Sequence, residues 1–241
     1  MIETHMSERR VLVLLGGYGA GKTQLSISLA LKRAREGKRV ALVDLDLINP
    51  YFRLREIADS LEREGVEVIR PKGDLAFAEN PSLPAQIDGA LRDPTRHVVL
   101  DAGGNETGAT IVGRYHNLLE TEDVAVLQVV NVFRPFSSTV EEIECLRMDM
   151  ERQSHLKIQG WINNSNLMDW TTLEDWKSSV GIMQSLVDQS KIPFVTCGVN
   201  PKWAEKVGLP WEPEWIPVEQ YLNLGWKSPV KGRKNIEGEK S

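Results

Sequence analysis

An α/β fold, with an open, mainly parallel sheet and helices on both faces, is what this 241-residue sequence predicts. Three observations predict it. Short apolar runs of strand length alternate with helix-length stretches whose apolar residues recur at three- and four-residue spacing. The strand-like runs are apolar throughout, as strands covered on both faces require. A glycine-rich turn, Gly16 to Thr23, joins the first run to the first helix.

Met1–Arg10 is polar, and its His5-Met6 pair has the look of a cloning junction, so the segment is expected to be disordered and outside the fold. Val11–Leu15 is the first strand. Thr23–Glu36 reads as a helix closed by Gly37, and Val40–Val43 as the second strand. Phe52–Glu64 puts Leu54, Ile57, Ala58 and Leu61 on one helical face. Val66–Ile69 and Val98–Leu100 are strands three and four. Between them Pro71–Asp93, with three prolines, reads as a surface excursion. Val124–Val130 follows, then a helix introduced by the capping-box spacing Ser138/Glu141. Ile158–Ile162 is a strand, Thr171/Glu174 repeats the capping-box spacing before another helix, and Ile192–Val195 is the last strand. Beyond Pro201, Trp203, Trp211, Trp215 and Trp226 are expected to staple an irregular wrap onto the core. The organisation is one domain over residues 11–226 and a mobile tail over 227–241.

Composition narrows the class. With 41% hydrophobic and 26% charged residues the chain can bury a core, which excludes disorder. A formal charge of −5 argues against a nucleic-acid binder. Two cysteines, Cys145 and Cys197, are too few for a disulfide scaffold, and both read as core thiols. No apolar run is long enough for a membrane span, and the tail Lys227–Ser241 lacks an apolar face for membrane binding. A cytoplasmic protein is expected.

The segment Gly16-Gly17-Tyr18-Gly19-Ala20-Gly21-Lys22-Thr23 matches G-x-x-x-x-G-K-[ST] in full, between a strand and a helix. Glycines let successive backbone N–H groups turn inward onto phosphate oxygens, and the helix start adds its own N–H groups. Lys22 is positioned to reach the terminal phosphates and Thr23 to offer its hydroxyl to Mg²⁺, with Gln24 behind them. The fold is therefore expected to be that of a P-loop NTPase. Asp101, ending the apolar run His97–Leu100, is the expected Walker-B metal partner, and Asp101-Ala102-Gly103-Gly104 reads as D-x-x-G. Asp44 and Asp46 end the second strand on one side of an extended segment, where one can orient water and the other support the metal. Either can instead cap the following helix.

Together these motifs resemble the MinD/ParA-type (CobQ/CobB/MinD/ParA-like) P-loop ATPases over roughly residues 11–201. The resemblance is most specific at 16–23, 43–55 and 98–114. It implies that Asp44–Arg55 and Asp101–Tyr115 are nucleotide switches and that Asp46 handles the catalytic water. It implies that Asn163 or Asn164 reads adenine, with Asn200 and Pro201 packed around the base. No N-K-x-D guanine signature occurs, so ATP with Mg²⁺ is the expected ligand pair. The chain departs from the family at Gly17, where the deviant Walker A carries a lysine that crosses a dimer. Arg53, Arg55 and Arg114 are the candidates to supply that charge, and only a weak homodimer is expected. The C-x-C pair of some metallocentre-assembly relatives is also missing.

The leading function is an ATP-hydrolysing nucleotide switch acting on an unknown protein partner. The alternative is a small-molecule kinase or ATP-dependent ligase, with Asn49, Tyr51, Arg53, Arg55 and Asn105 around an anionic acceptor. A third reading is a nucleotide-binding scaffold without turnover. His5, His97, His116 and His155 share no metal-ligand spacing, and only His116 lies near a switch.

Overall fold

The computed structural model describes residues 4–45, 54–70, 85–121, 123–207 and 215–219, apart from the side chains of 4, 5, 54–56, 105, 206 and 207. Among them are eight strands: Val11–Gly16 (β1), Arg39–Asp44 (β2), Val66–Ile69 (β3), Arg96–Asp101 (β4), Val124–Val130 (β5), Gly160–Asn163 (β6), Phe194–Val199 (β7) and Ile216–Pro217 (β8). They form one sheet in the order β3-β2-β4-β1-β5-β6-β7-β8. Every pairing is parallel. All strands therefore end on one edge, where the loops that follow them gather.

Helices cover both faces: Lys22–Arg35 (α1), Leu54–Arg63 (α2), Ala85–Arg92 (α3), Asn105–Gly113 (α4), His116–Leu119 (α5), Val140–Ser154 (α6), Leu173–Ser190 (α7) and Pro201–Val207 (α8). The pleat of β1 divides the core. Val11, Val13 and Leu15 pack with Ile87 of α3, Ala109 and Val112 of α4 and Met150 of α6. Leu12 and Leu14 pack on the other face with Leu25, Ile27 and Leu29 of α1 and Leu61 of α2. A third cluster joins Trp161 of β6 to Ile143 of α6 and to Met183 and Leu186 of α7.

Several boundaries differ from the sequence expectation, each for a local reason. Residues 4–10 belong to the fold. Thr4–Glu8 is a 3-10 turn, Met6 packs against the α1 side of the core, and Arg33, only 3% exposed, donates to the carbonyls of Ser7, Arg9 and Arg10. Burial lowers the Arg33 guanidinium to about 10. Arg10 in turn donates to the carbonyls of Leu91, Asp93 and Arg96 and pairs with Asp123 at 3.1 Å.

The excursion expected over 71–93 contains a helix at its end, α3. Its expected part over 71–84 lies outside the described residues, as do Trp211, Trp226 and the tail. Both capping boxes are displaced by one residue. Thr139 accepts the Glu142 amide at 3.2 Å, and Thr172 with Asp175 forms the reciprocal box. Thr171 is unavailable because its hydroxyl closes the preceding turn on Met168 and Leu167. Strand β6 starts at Gly160 because the Ile158 amide is taken by the Glu151 carboxylate at 2.9 Å. Cys145 is exposed on α6 rather than in the core. Cys197 is buried in β7, and burial pushes its thiol up to about 12.

Candidate functional site

The glycine-rich loop leaves β1 at the centre of the sheet and ends in α1. Gly21 is the N-cap of α1 in a left-handed conformation (φ 84°), with no side-chain cap and no acidic residue in the first helical turn. The first N–H groups of α1, including those of Thr23 and Gln24, thus face the loop. A Cβ on Gly21 would collide with the side-chain amide of Asn164, so this position demands glycine twice over.

Lys22 is 7% exposed, and its Nζ donates to the Gly16 and Gly17 carbonyls at 2.9 and 3.0 Å. The ammonium is held across the mouth of the loop by two acceptors. Tyr18 is 68% exposed at the tip and lies against Gly104, where a Cβ would be 3.2 Å from its ring. The loop therefore touches the turn that starts α4.

Neighbouring strands bring the carboxylates. In the ladder Asp101 pairs with both Leu14 of β1 and Asp44 of β2, and the Leu45 amide donates to the Asp101 carbonyl at 3.0 Å. Asp101 is 2% exposed beside the loop, and Asp44 is half-buried one strand further out. Asp46, Asn49, Tyr51 and Arg53 lie outside the described residues, as do the side chains of Arg55 and Asn105. Arg114 follows α4 at its C-cap.

At the end of β6 the two asparagines point in opposite directions, as adjacent residues of an extended chain must. Asn164 donates through Nδ2 to the Ala20 carbonyl at 2.7 Å and packs against Gly198 of β7. Asn163 faces α7, donating to Ser179 at 3.0 Å and accepting from the Ser165 amide. Asn164 is thus the one brought to the glycine-rich loop. Asn200 uses its side chain to cap α8, accepting from the Lys202 and Trp203 amides, and Pro201 is the first residue of that helix.

One residue was missed from sequence. Arg134, in the loop after β5, donates through Nε to the Gly19 carbonyl at 3.2 Å. It belongs to no motif, and only the adjacency of β1 and β5 brings it there. His116 is engaged elsewhere: its Nδ1 is 3.0 Å from the Gly113 carbonyl and its ring lies 5.8 Å from that of His155. No cluster of three or more His, Cys, Asp or Glu able to hold a metal exists among the described residues.

The fold is shared with solved structures. Chloroplast FtsY of Physcomitrella patens superposes with a TM-score of 0.55 at 19% identity, covering 79% of this chain and 58% of that one. The signal recognition particle receptor FtsY of Elizabethkingia anophelis, in complex with GDP, gives 0.54 at 19% identity, covering 79% and 57%. The fold is that of a P-loop NTPase. No family model matches the chain. In sequence, this chain is 36% identical over 85 residues to the cytosolic Fe-S cluster assembly factor cfd1 of Aspergillus clavatus. That stretch is 34% of this chain and 26% of the relative, so the chain spans about a quarter of that protein. Among the described residues no helix is long and apolar enough to cross a membrane.

Proposed function

We propose that this chain is a Mg²⁺-dependent ATP-binding and hydrolysing switch protein of the MinD/ParA type, acting on a protein partner. The observation that carries the reading is the Asn164–Ala20 hydrogen bond, which brings to the loop holding Lys22 the asparagine that the family resemblance assigns to the base. The similarity to cfd1 supports the MinD/ParA branch.

In this reading the loop amides from Gly17 to Thr23 hold the phosphates, and Lys22 exchanges the Gly16 and Gly17 carbonyls for phosphate oxygens. The Thr23 hydroxyl and the buried Asp101 carboxylate are hard oxygen donors, the chemistry that Mg²⁺ prefers. These two would hold it, and when bound it neutralises charge on the phosphates. Asp46, with Asp44 beside it, orients the attacking water. Asn164 reads the adenine edge. The segments 44–55 and 101–114 are the switches a partner reads, with Tyr18 against Gly104 as the contact between phosphate loop and second switch. The protein is proposed to be cytoplasmic, at most a weak homodimer, and to bind neither nucleic acid nor membrane.

The test is nucleotide binding and turnover by the parent protein and by Lys22→Ala. The parent should bind ATP·Mg²⁺ and release phosphate, while Lys22→Ala keeps its melting temperature and loses about 100-fold or more in affinity. Equal affinity in both proteins would refute the reading.

A further inference from the structure

Arg134 reaches the phosphate loop from a scaffold built to hold it. The loop after β5 begins at Asn131, which is 1% exposed and donates to the Asn166 carbonyl at 3.2 Å. The Asn131 carboxamide accepts from the Phe133 amide and its backbone carbonyl from the Arg134 amide. Ser165 accepts from the Val132 amide at 3.1 Å, and the Ser137 amide donates to the Arg134 carbonyl. Phe136 closes the turn in a left-handed conformation (φ 61°). The Arg134 backbone is therefore fixed on both sides.

From there the side chain crosses to the loop. Its stem lies over Gly19 (φ 74°), where a Cβ would meet Cδ and Nε at 3.4 Å. Nε holds the Gly19 carbonyl, and among the described residues the two terminal nitrogens have no hydrogen-bond partner and no carboxylate within ion-pairing distance. Lys22 holds the same loop by the Gly16 and Gly17 carbonyls. Two cations thus converge on a loop, Gly16–Thr23, that contains no acidic residue. A guanidinium keeps its proton at any working pH and presents its donors as a planar fork matched to phosphate oxygens.

We propose that Arg134 is a catalytic residue that stabilises the transferring phosphate from within the same chain, taking the place of the charge absent at Gly17. This rests on the ATP-hydrolysing reading above. In the reaction water bonds to the γ-phosphorus as the bond to the β–γ bridging oxygen breaks, giving ADP, inorganic phosphate and a released proton. Arg134 stays protonated throughout. Its terminal nitrogens bind oxygens whose negative charge grows in the transition state, so it acts on turnover rather than on nucleotide docking.

The experiment compares the parent with Arg134→Ala and Arg134→Lys for melting temperature, affinity for ADP, and single-turnover hydrolysis of ATP. Arg134→Ala should lose about 100- to 1,000-fold in hydrolysis while ADP affinity stays within about threefold. Arg134→Lys keeps the charge but not the fork and should recover only part of the rate; it carries the comparison if the alanine variant melts early. Mixing Arg134→Ala with Lys22→Ala should restore nothing, because both groups serve one chain's site.

Hydrolysis by Arg134→Ala within about threefold of the parent would overturn the proposal while leaving the ATPase reading intact. A parallel loss of ADP binding would reduce Arg134 to a support for the Gly19 backbone. Recovered activity on mixing would show a charge delivered across a dimer and overturn the same-chain assignment. A parent that binds no ATP would remove the functional reading itself.

Discussion

The side-chain amide of Asn164 donates to the backbone carbonyl of Ala20 at 2.7 Å, across 144 residues of sequence. This bond joins the end of β6 to the phosphate loop two strands away. Asn163, its neighbour, makes none of this contact and is bound to Ser179 of α7.

The two asparagines should therefore separate in function. Asn164→Ala is expected to weaken ATP binding about tenfold, the worth of one well-made hydrogen bond, and to narrow the ATP/GTP difference. Asn163→Ala leaves the Ser165 amide without its partner and removes the donor to Ser179, which keeps its bond to the Trp176 carbonyl, and should cost about 1–3 kcal/mol of stability with affinity unchanged. Calorimetric titration with both nucleotides and urea unfolding of each variant distinguish the two. Identical profiles would contradict the geometry.

Gly21 and Gly37 share a left-handed backbone, at φ 84° and 80°, but not their surroundings. Among the described residues a Cβ at Gly37 meets nothing within 4 Å, whereas at Gly21 it meets Asn164. Gly37→Ala should cost about 1–2 kcal/mol of stability and leave nucleotide binding alone. Gly21→Ala should in addition displace Asn164 and abolish detectable binding. Retained binding by Gly21→Ala would mean that the loop tolerates the displacement.

Asp101→Asn preserves shape at a 2% exposed site and removes charge. It should weaken nucleotide binding in the presence of Mg²⁺ and change little in its absence. Asp46→Asn is expected to bind ATP·Mg²⁺ normally and lose most turnover. If Asp46→Asn turns over at the parent rate, the same substitution at Asp44 is the next test.

His97 gives the fold a pH dependence of its own at the opposite edge of the sheet. Burial lowers its pKa, and the nearby positive charges of Arg33, Lys38 and Arg10 add to this against the single opposing charge of Asp123. Its Nδ1 is buried and has no hydrogen-bond partner among the described residues. A histidine with a folded pKa below its unfolded value of about 6.5 binds fewer protons when folded. Its stabilisation is thus complete above that pH and is lost as pH falls toward the folded value. Asp93, held down by Thr95, and Asp175, held down by Thr172, act in the same direction. Their window lies below about pH 4. Urea midpoints between about pH 7.5 and 5 should fall for the parent and stay nearly level for His97→Gln. A parallel fall in the variant would assign the slope to another group.

The glycine-rich loop between β1 and α1 was legible in sequence because its pattern is local: eight consecutive residues carry the glycines, the lysine and the hydroxyl. The parallel sheet was legible because strands buried on both faces are written as unbroken apolar runs. Helix α3 was hidden by the prolines before it, and the caps slipped by one residue because Ser138-Thr139 and Thr171-Thr172 offer two hydroxyls in succession. What neighbouring residues cannot encode is which strands adjoin. Arg134 became visible as a partner of Gly19 only once β1 and β5 were side by side, and the choice between Asn163 and Asn164 only once β6 had a face turned to the loop.

The placement of β1 has a consequence for how the chain is made. Its six residues are all buried and lie between β4 and β5, partners encoded at residues 96–101 and 124–130. A ribosome delivers this strand first and its second neighbour more than a hundred residues later, at about 5–20 residues per second. For several seconds of synthesis the nascent chain carries Val11–Leu15 with both hydrogen-bonding edges open, a short adhesive segment that chaperones and other nascent chains can reach.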